Sequence, residues 1–157
     1  MVEMMQQLEF TGGLPPHELD KLAAIASEVQ FKSGEVIFRE GDLGNRVYLI
    51  VEGQVALERH VPGRGRAVIL TIGPGEICGW SALFSGQWKT SDARAVGPVR
   101  TIAIVAQNLL AACEADHDLG YLIMQRVATV IAGRLKSTRL QLLDIFASEP
   151  QLARKDA

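Results

Sequence analysis

Apolar residues along this chain change period twice. Behind Pro15-Pro16, Leu19, Leu22 and Ile25/Ala26 recur at helical spacing. Proline is tolerated in a first turn, so a short amphipathic helix is predicted over about 16–27. The lead before it, residues 1–13, is polar and methionine-rich and ends in Thr11-Gly12-Gly13, which predicts a mobile or loosely packed segment. From 28 to 105 the pattern becomes short strand-length runs. Val29 and Phe31 alternate with polar neighbours, and Val36-Ile37-Phe38 leads into the turn cluster Gly41-Asp42-Leu43-Gly44-Asn45. Val47 to Val51 stops at Glu52-Gly53, and Val55, Leu57 and the run to Val61 end at the hairpin-like tip Pro62-Gly63-Arg64-Gly65. Residues 66–72 return, and 94–105 supply two more pieces broken at Gly97-Pro98. Strands at such intervals with glycine-rich turns predict a β-barrel or jelly roll, in a mainly β member of the α+β class.

After Ala106 the period is helical again. A short helix is predicted over about 106–115, and Asp118 is expected to cap a long one running over about 118–146. Along it Met124, Ala128, Ile131, Leu135, Thr138, Leu142 and Ile145 step alternately by four and three, a heptad seam. A helix of that length outruns a small barrel, so its far half is expected to pair with a second copy in a homodimer. The alternative is a helix that packs along its own domain. Thr138, the polar member of the seam, either sets register or faces a ligand.

At 157 residues, 48% of them hydrophobic, and with a formal net charge of −2, the chain suits one domain with a real core. The organisation expected is a single domain over 1–146 and a flexible tail over 147–157. The balance argues against a disordered chain and against a polycation built for nucleic acid. Cys78 and Cys113 lack metal-ligand spacing. With no secretory pattern at the N-terminus they read as reduced thiols in a cytoplasmic protein. No window has the length to cross a membrane, so no membrane partner is expected.

Candidate chemistry concentrates in 73–96. The turn Gly73-Pro74-Gly75 is followed by Gly79-Trp80-Ser81-Ala82-Leu83, where a flexible glycine opens a single helical turn. Lys89-Thr90-Ser91 then puts a cation beside two hydroxyls. Helix starts carry unpaired N–H groups and attract anions, and the Lys89 ammonium and both hydroxyls are placed to reach the same anion from the other side. The segment is therefore a candidate site for a small, phosphate-sized anion. The plainer alternative is a solvated loop with a surface lysine.

Elsewhere little suggests a reaction. No Ser/His/Asp spacing, paired carboxylates or phosphate loop of the GK[ST] type occurs, so no catalytic residues are assigned and the chain is not read as an enzyme. His17, His60 and His117 are far apart, and a metal or haem site from His60 with Cys78 is disfavoured against a surface histidine and a buried thiol filler. Arg126, Arg134, Lys136 and Arg139 spread along the last helix as a solvated face, and no nucleic-acid partner is expected.

Together with this order of elements, specific stretches carry a resemblance. They are Lys32-Ser33-Gly34-Glu35-Val36-Ile37-Phe38, Glu40-Gly41-Asp42, the run from Val47 through Glu52-Gly53-Gln54-Val55, Leu70-Thr71-Ile72-Gly73-Pro74-Gly75, and Ala132-Gly133-Arg134-Leu135-Lys136-Ser137-Thr138. The chain resembles the cyclic-nucleotide-binding domain of bacterial catabolite activator proteins and of cyclic-AMP-dependent kinase regulatory subunits, over about residues 14–146. The Gly-Trp-Ser-Ala-Leu stretch is similar to that of stand-alone bacterial members. The resemblance implies a non-enzymatic sensory domain binding a cyclic nucleotide (cyclic AMP or cyclic GMP) or a related small anion. It implies signalling through a C-terminal dimerisation helix to a separate effector protein.

It also makes 79–91 the phosphate-binding cassette. The family's ribose-holding Glu falls on Trp80, its phosphate Arg on Lys89, the adjoining hydroxyl on Thr90 and a purine-contacting threonine on Thr138, with Arg139 at a second base-contacting position. Trp80 offers only a donor, so it cannot accept from a ribose hydroxyl. It is left either to stack on a base or to plug the pocket. Lys89 keeps the charge but loses the two-pronged fit. The expected ligand set is Gly79, Trp80, Ser81, Ala82, Leu83, Lys89, Thr90, Ser91, Thr138 and Arg139. The alternative is a ligand-free dimeric adaptor.

Overall fold

A computed structural model describes residues 1–84 and 88–148. Its elements are α1 (Val2–Gln7), α2 (Pro16–Ala24), β1 (Ala26–Phe31), β2 (Val36–Phe38), β3 (Arg46–Val61), β4 (Gly65–Ile72), β5 (Ile77–Cys78), a 3-10 turn (Trp80–Leu83), β6 (Asp92–Val105), α3 (Ala106–Ala115) and α4 (His117–Ser148). The architecture is the mainly antiparallel, open jelly-roll-like sheet with a long C-terminal helix that the period changes predict. One compact unit covers Met1–Ile123. A second begins at Met124 and, over its described residues, is the rest of α4.

The strands run β1-β6-β3-β4, with β2 added to β6 and β5 to β3. Alternation sorts β3 and β6 into two buried faces. Tyr48, Ile50, Val55, Ala93, Ala95, Val99 and Ala103 join Ile72 and Cys78 in one core cluster, with Val29, Phe31, Ile37, Phe38, Leu57 and Leu70 packed on it. Val47, Leu49, Ile102 and Ile104 take the opposite face and are also buried. α3 packs against β6 and the 3-10 turn, and α2 against α3 and β1.

Several local expectations are corrected. The breaks at Glu52-Gly53 and Gly97-Pro98 are irregularities inside two long continuous strands, β3 and β6. The β3–β6 register shifts between Ile50 and Glu52 and again before Gln54. Gly53 sits there at φ 89°, and a Cβ on it would collide with the Pro98 carbonyl. The local bend needs glycine, and the ladder resumes beyond it. α2 ends at Ala24 rather than near Ser27, because Ala26 and Ser27 pair with Ile104 and Ala103 in the sheet. Asp116, not Asp118, caps α4: its Oδ1 accepts the N–H groups of Asp118 at 3.1 Å and Leu119 at 3.3 Å. The helix runs to Ser148, so the expected tail loses its first two residues to α4, and 149–157 lie outside the described residues.

The expectation of a loose lead is also overturned. Residues 2–7 form α1, Met5 is fully buried, and Leu8, Phe10 and Leu14 are buried with it. The Thr11 hydroxyl donates to the Met5 carbonyl at 2.6 Å, and the Phe10 N–H donates to the Gly75 carbonyl at 3.2 Å. Of the methionines that made the segment look featureless, Met5 is a core residue, Met4 is half-buried and Met1 is exposed. Met5→Ala therefore removes a packed side chain. It is expected to cost about 2–5 kcal/mol, read as a lower urea midpoint at unchanged m-value; an unchanged midpoint would restore the loose lead.

Candidate functional site

The site is built where β5 leaves the sheet. β5 pairs Ile77 and Cys78 with Leu49 and Tyr48, so both are fully buried and the chain must turn immediately afterwards. Gly79 makes the turn in the left-handed region, at φ 80°, with the Arg46 carbonyl 3.0 Å from where a Cβ would lie. The 3-10 turn follows, its Ala82 and Phe84 N–H groups donating to the carbonyls of Gly79 and Ser81. Leu83 anchors it in the core. Trp80 is half-buried and forms an edge-to-face pair with Phe84 of its own segment, centroids 6.0 Å apart at 80°.

Lys89 is the centre of the arrangement. It is only 4% exposed, and its Nζ donates to Ser81 Oγ at 2.8 Å and to the Gly79 carbonyl at 3.2 Å. The ammonium also stands 4.6 Å above the centre of the Phe38 ring. Its backbone is clamped as well: the Lys89 N–H donates to the Asp42 carbonyl, and the Gly41 N–H to the Lys89 carbonyl, both at 2.8 Å. Its stem crosses Gly44 so closely that a Cβ there would overlap Cε. Among the described residues no carboxylate forms an ion pair with it. Burial pushes its pKa below the ordinary lysine value, with the nearby Cys78 opposing the shift. The solvated surface lysine is therefore excluded, and a buried cation stands in its place.

The structure thus joins three expected residues, Gly79, Ser81 and Lys89. The remaining ones stand differently. Ser91 is buried beside the cassette's end, whereas Thr90 is exposed. Ala82 is half-buried and offers only backbone. Thr138 and Arg139 belong to the second unit and are exposed, and the Thr138 hydroxyl donates to its own helix at the Arg134 carbonyl, 2.9 Å away. On α4, Met124 and Ile131 are half-buried, and Ala128, Leu135, Leu142 and Ile145 are exposed. His60 lies twelve residues along β3 from Tyr48, the residue that Cys78 pairs with, which separates the disfavoured His60–Cys78 couple.

Sequence reasoning missed the far wall. Phe38 and the 41–44 loop hold Lys89, yet they read only as a strand end and a turn cluster. The signal available was the second glycine in Gly41-Asp42-Leu43-Gly44, one more than a simple turn needs.

Comparison with known proteins places this geometry. The family model described as the cyclic nucleotide-binding domain matches residues 28–116, more than half the chain. The chain is 29% identical over 150 residues to a CRP-like cAMP-activated global transcriptional regulator of Mycobacterium tuberculosis, covering 95% of itself and 65% of that protein. It is 31% identical over 138 residues to the cyclic AMP receptor protein of Thermus thermophilus, covering 87% of itself and 61% of the relative. It therefore spans just under two thirds of these relatives. Among solved structures, a candidate cyclic nucleotide-binding protein from Geobacter metallireducens superposes with a TM-score of 0.75 at 32% identity, over 85% of this chain and 96% of that one. The Thermus thermophilus catabolite activator protein gives 0.71 at 27%, over 92% and 63%.

A buried, unpaired cation is a stability cost that only a ligand or a structural role offsets. Lys89→Met keeps the stem and removes the charge. It is expected to leave the melting temperature at neutral pH equal or higher. The sign follows from the lowered pKa. Burying the charged form costs stability below the folded pKa, and wild type recovers that cost as pH rises from there towards the ordinary lysine value. The variant's advantage should then shrink with rising alkaline pH in paired melting curves.

Proposed function

Because the chain belongs to the cyclic nucleotide-binding domain family, we propose that it is a dimeric regulatory domain whose cassette takes a cyclic nucleotide or a related small anion on Lys89 and passes the event to α4. The observation that carries this reading is the Lys89 ammonium itself, buried without a counter-charge among the described residues and held at the mouth of the cassette by Ser81 and Gly79. A phosphate arriving there supplies the missing negative charge, and charge-assisted bonds in a dry site are the strong ones. The Ser81 hydroxyl, now accepting from Lys89, is free to turn its own proton to a phosphate oxygen. Trp80 offers no acceptor for a ribose hydroxyl, so recognition rests on the phosphate and on stacking rather than on the sugar.

Transmission rests on Lys89 holding two loops at once. An anion that draws Nζ away from Gly79 and Ser81 loosens the 3-10 turn, which packs on α3, the helix that leads into α4. Differential contacts of this kind are what a ligand needs to shift a two-state element. α4 in turn is the expected dimer element, and the output reaches an effector through it. Trp80 and the self-satisfied hydrogen bonds of Lys89 favour the second reading, a dimeric adaptor with a closed cassette.

The readings separate on a thermal-shift experiment with cyclic AMP, cyclic GMP and 5′-AMP. A ligand at a hundred times its Kd adds about 2.7 kcal/mol, a shift of several degrees. The sensor reading expects that shift with the cyclic nucleotides, abolished in Lys89→Ala. No shift with any of the three would leave the adaptor. Independently, Leu135→Glu with Leu142→Glu, both exposed on the α4 seam, is expected to convert a dimer to a monomer in sedimentation velocity at unchanged helix content. A wild-type monomer at micromolar concentration would remove the dimer.

A further inference from the structure

A cavity of about 270 Å³ lies on the β2 and 42–46 loop side of Lys89. Of the cassette residues only Lys89 lines it; Gly79, Ser81, Thr90 and Ser91 do not. Its apolar walls are Ile37, Phe38 and Tyr48, and the exposed Leu43 forms part of its rim. Its polar groups are Lys89, Arg46, Asn45 and Asp42. Asp42 Oδ2 already accepts the Arg39 N–H at 3.1 Å, so the two cations exceed the one carboxylate.

From this geometry we propose that the cavity is a second ligand site, specific for a small aromatic carboxylate. The volume lies just under the roughly 300–1,000 Å³ of pockets for drug-sized ligands, a size that suits one ring. One net positive charge matches a monoanion rather than a polyphosphate. Phe38 and Tyr48 supply faces and edges for a ring, and the Tyr48 ring is itself fixed by Phe31, edge-on at 5.7 Å and 72°. The Tyr48 phenol, with an ordinary pKa of about 10, is a neutral donor near pH 7. Lys89 and Arg46 then receive the carboxylate and the cavity walls the ring. The inference rests on the reading above only in using the same ammonium.

The test uses the full chain with benzoate as probe, and with acetate, benzyl alcohol and cyclic AMP beside it. Millimolar benzoate is expected to raise the melting temperature by several degrees and to move the Phe38, Tyr48 and Lys89 Cε signals in NMR spectra. Acetate lacks the ring and benzyl alcohol the charge, so each should do far less. Arg46→Glu, or the milder Arg46→Gln should the first misfold, should weaken benzoate at least tenfold, whereas Trp80→Ala, in the cassette and away from the cavity lining, should leave it unchanged. Absence of a benzoate response sinks the proposal, as does a response lost in Trp80→Ala and kept in Arg46→Glu, which would place benzoate in the cassette. Cyclic AMP responding while benzoate does not would remove this site and leave the cassette reading standing. The converse would keep this site and remove the cassette reading.

Discussion

Taking an ammonium out of water is costly unless the protein rebuilds its solvation, and the arrangement around Lys89 does so without an opposing charge. One carbonyl, one hydroxyl and the face of a ring replace water around Nζ. Two backbone hydrogen bonds fix the chain that delivers it. The stem passes only because Gly44 has no side chain, and the turn receives it only because Gly79 tolerates a left-handed backbone. Strand β2, the 41–44 loop and the cassette thereby share one anchor.

The helices answer to a second polar junction, at the corner between α3 and α4. Asp116 caps α4 and pairs with Lys21 of α2, while Gly120 lets the first turn of α4 approach the Cys113 backbone. Glu18 is buried beside this pair. Burial pushes its pKa up and the neighbouring Asp116 adds to the shift, while Lys21 holds Asp116 well below the usual carboxylate range. The two carboxyls are therefore pushed in opposite directions, with Lys21 and His17 opposing the rise on Glu18. The start of α4 is thus tied to α2 and α3.

Much of this was legible in the chain. The change from period 3.6 to period 2 and back again is a local property, since it reports which positions face a core. It was enough for a jelly roll bounded by helices, the last of them long. The Gly79 turn and the presence of a cation ten residues on were also readable, because a left-handed turn and a charge are properties of single residues. What misled was equally local: Gly53 and Pro98 look like strand ends, and Met4-Met5 looks like an unstructured start.

Tertiary structure decided the rest. Whether Gly53 ends a strand or bends one depends on the strand opposite it, and whether Met5 is loose depends on what covers it. The direction of Lys89 could not be read at all, since its partners lie about ten and fifty residues away and none of them carries a charge. A sequence shows that a cation is present. Only the folded chain shows that it is buried, which residues replace its water, and that no carboxylate among the described residues neutralises it.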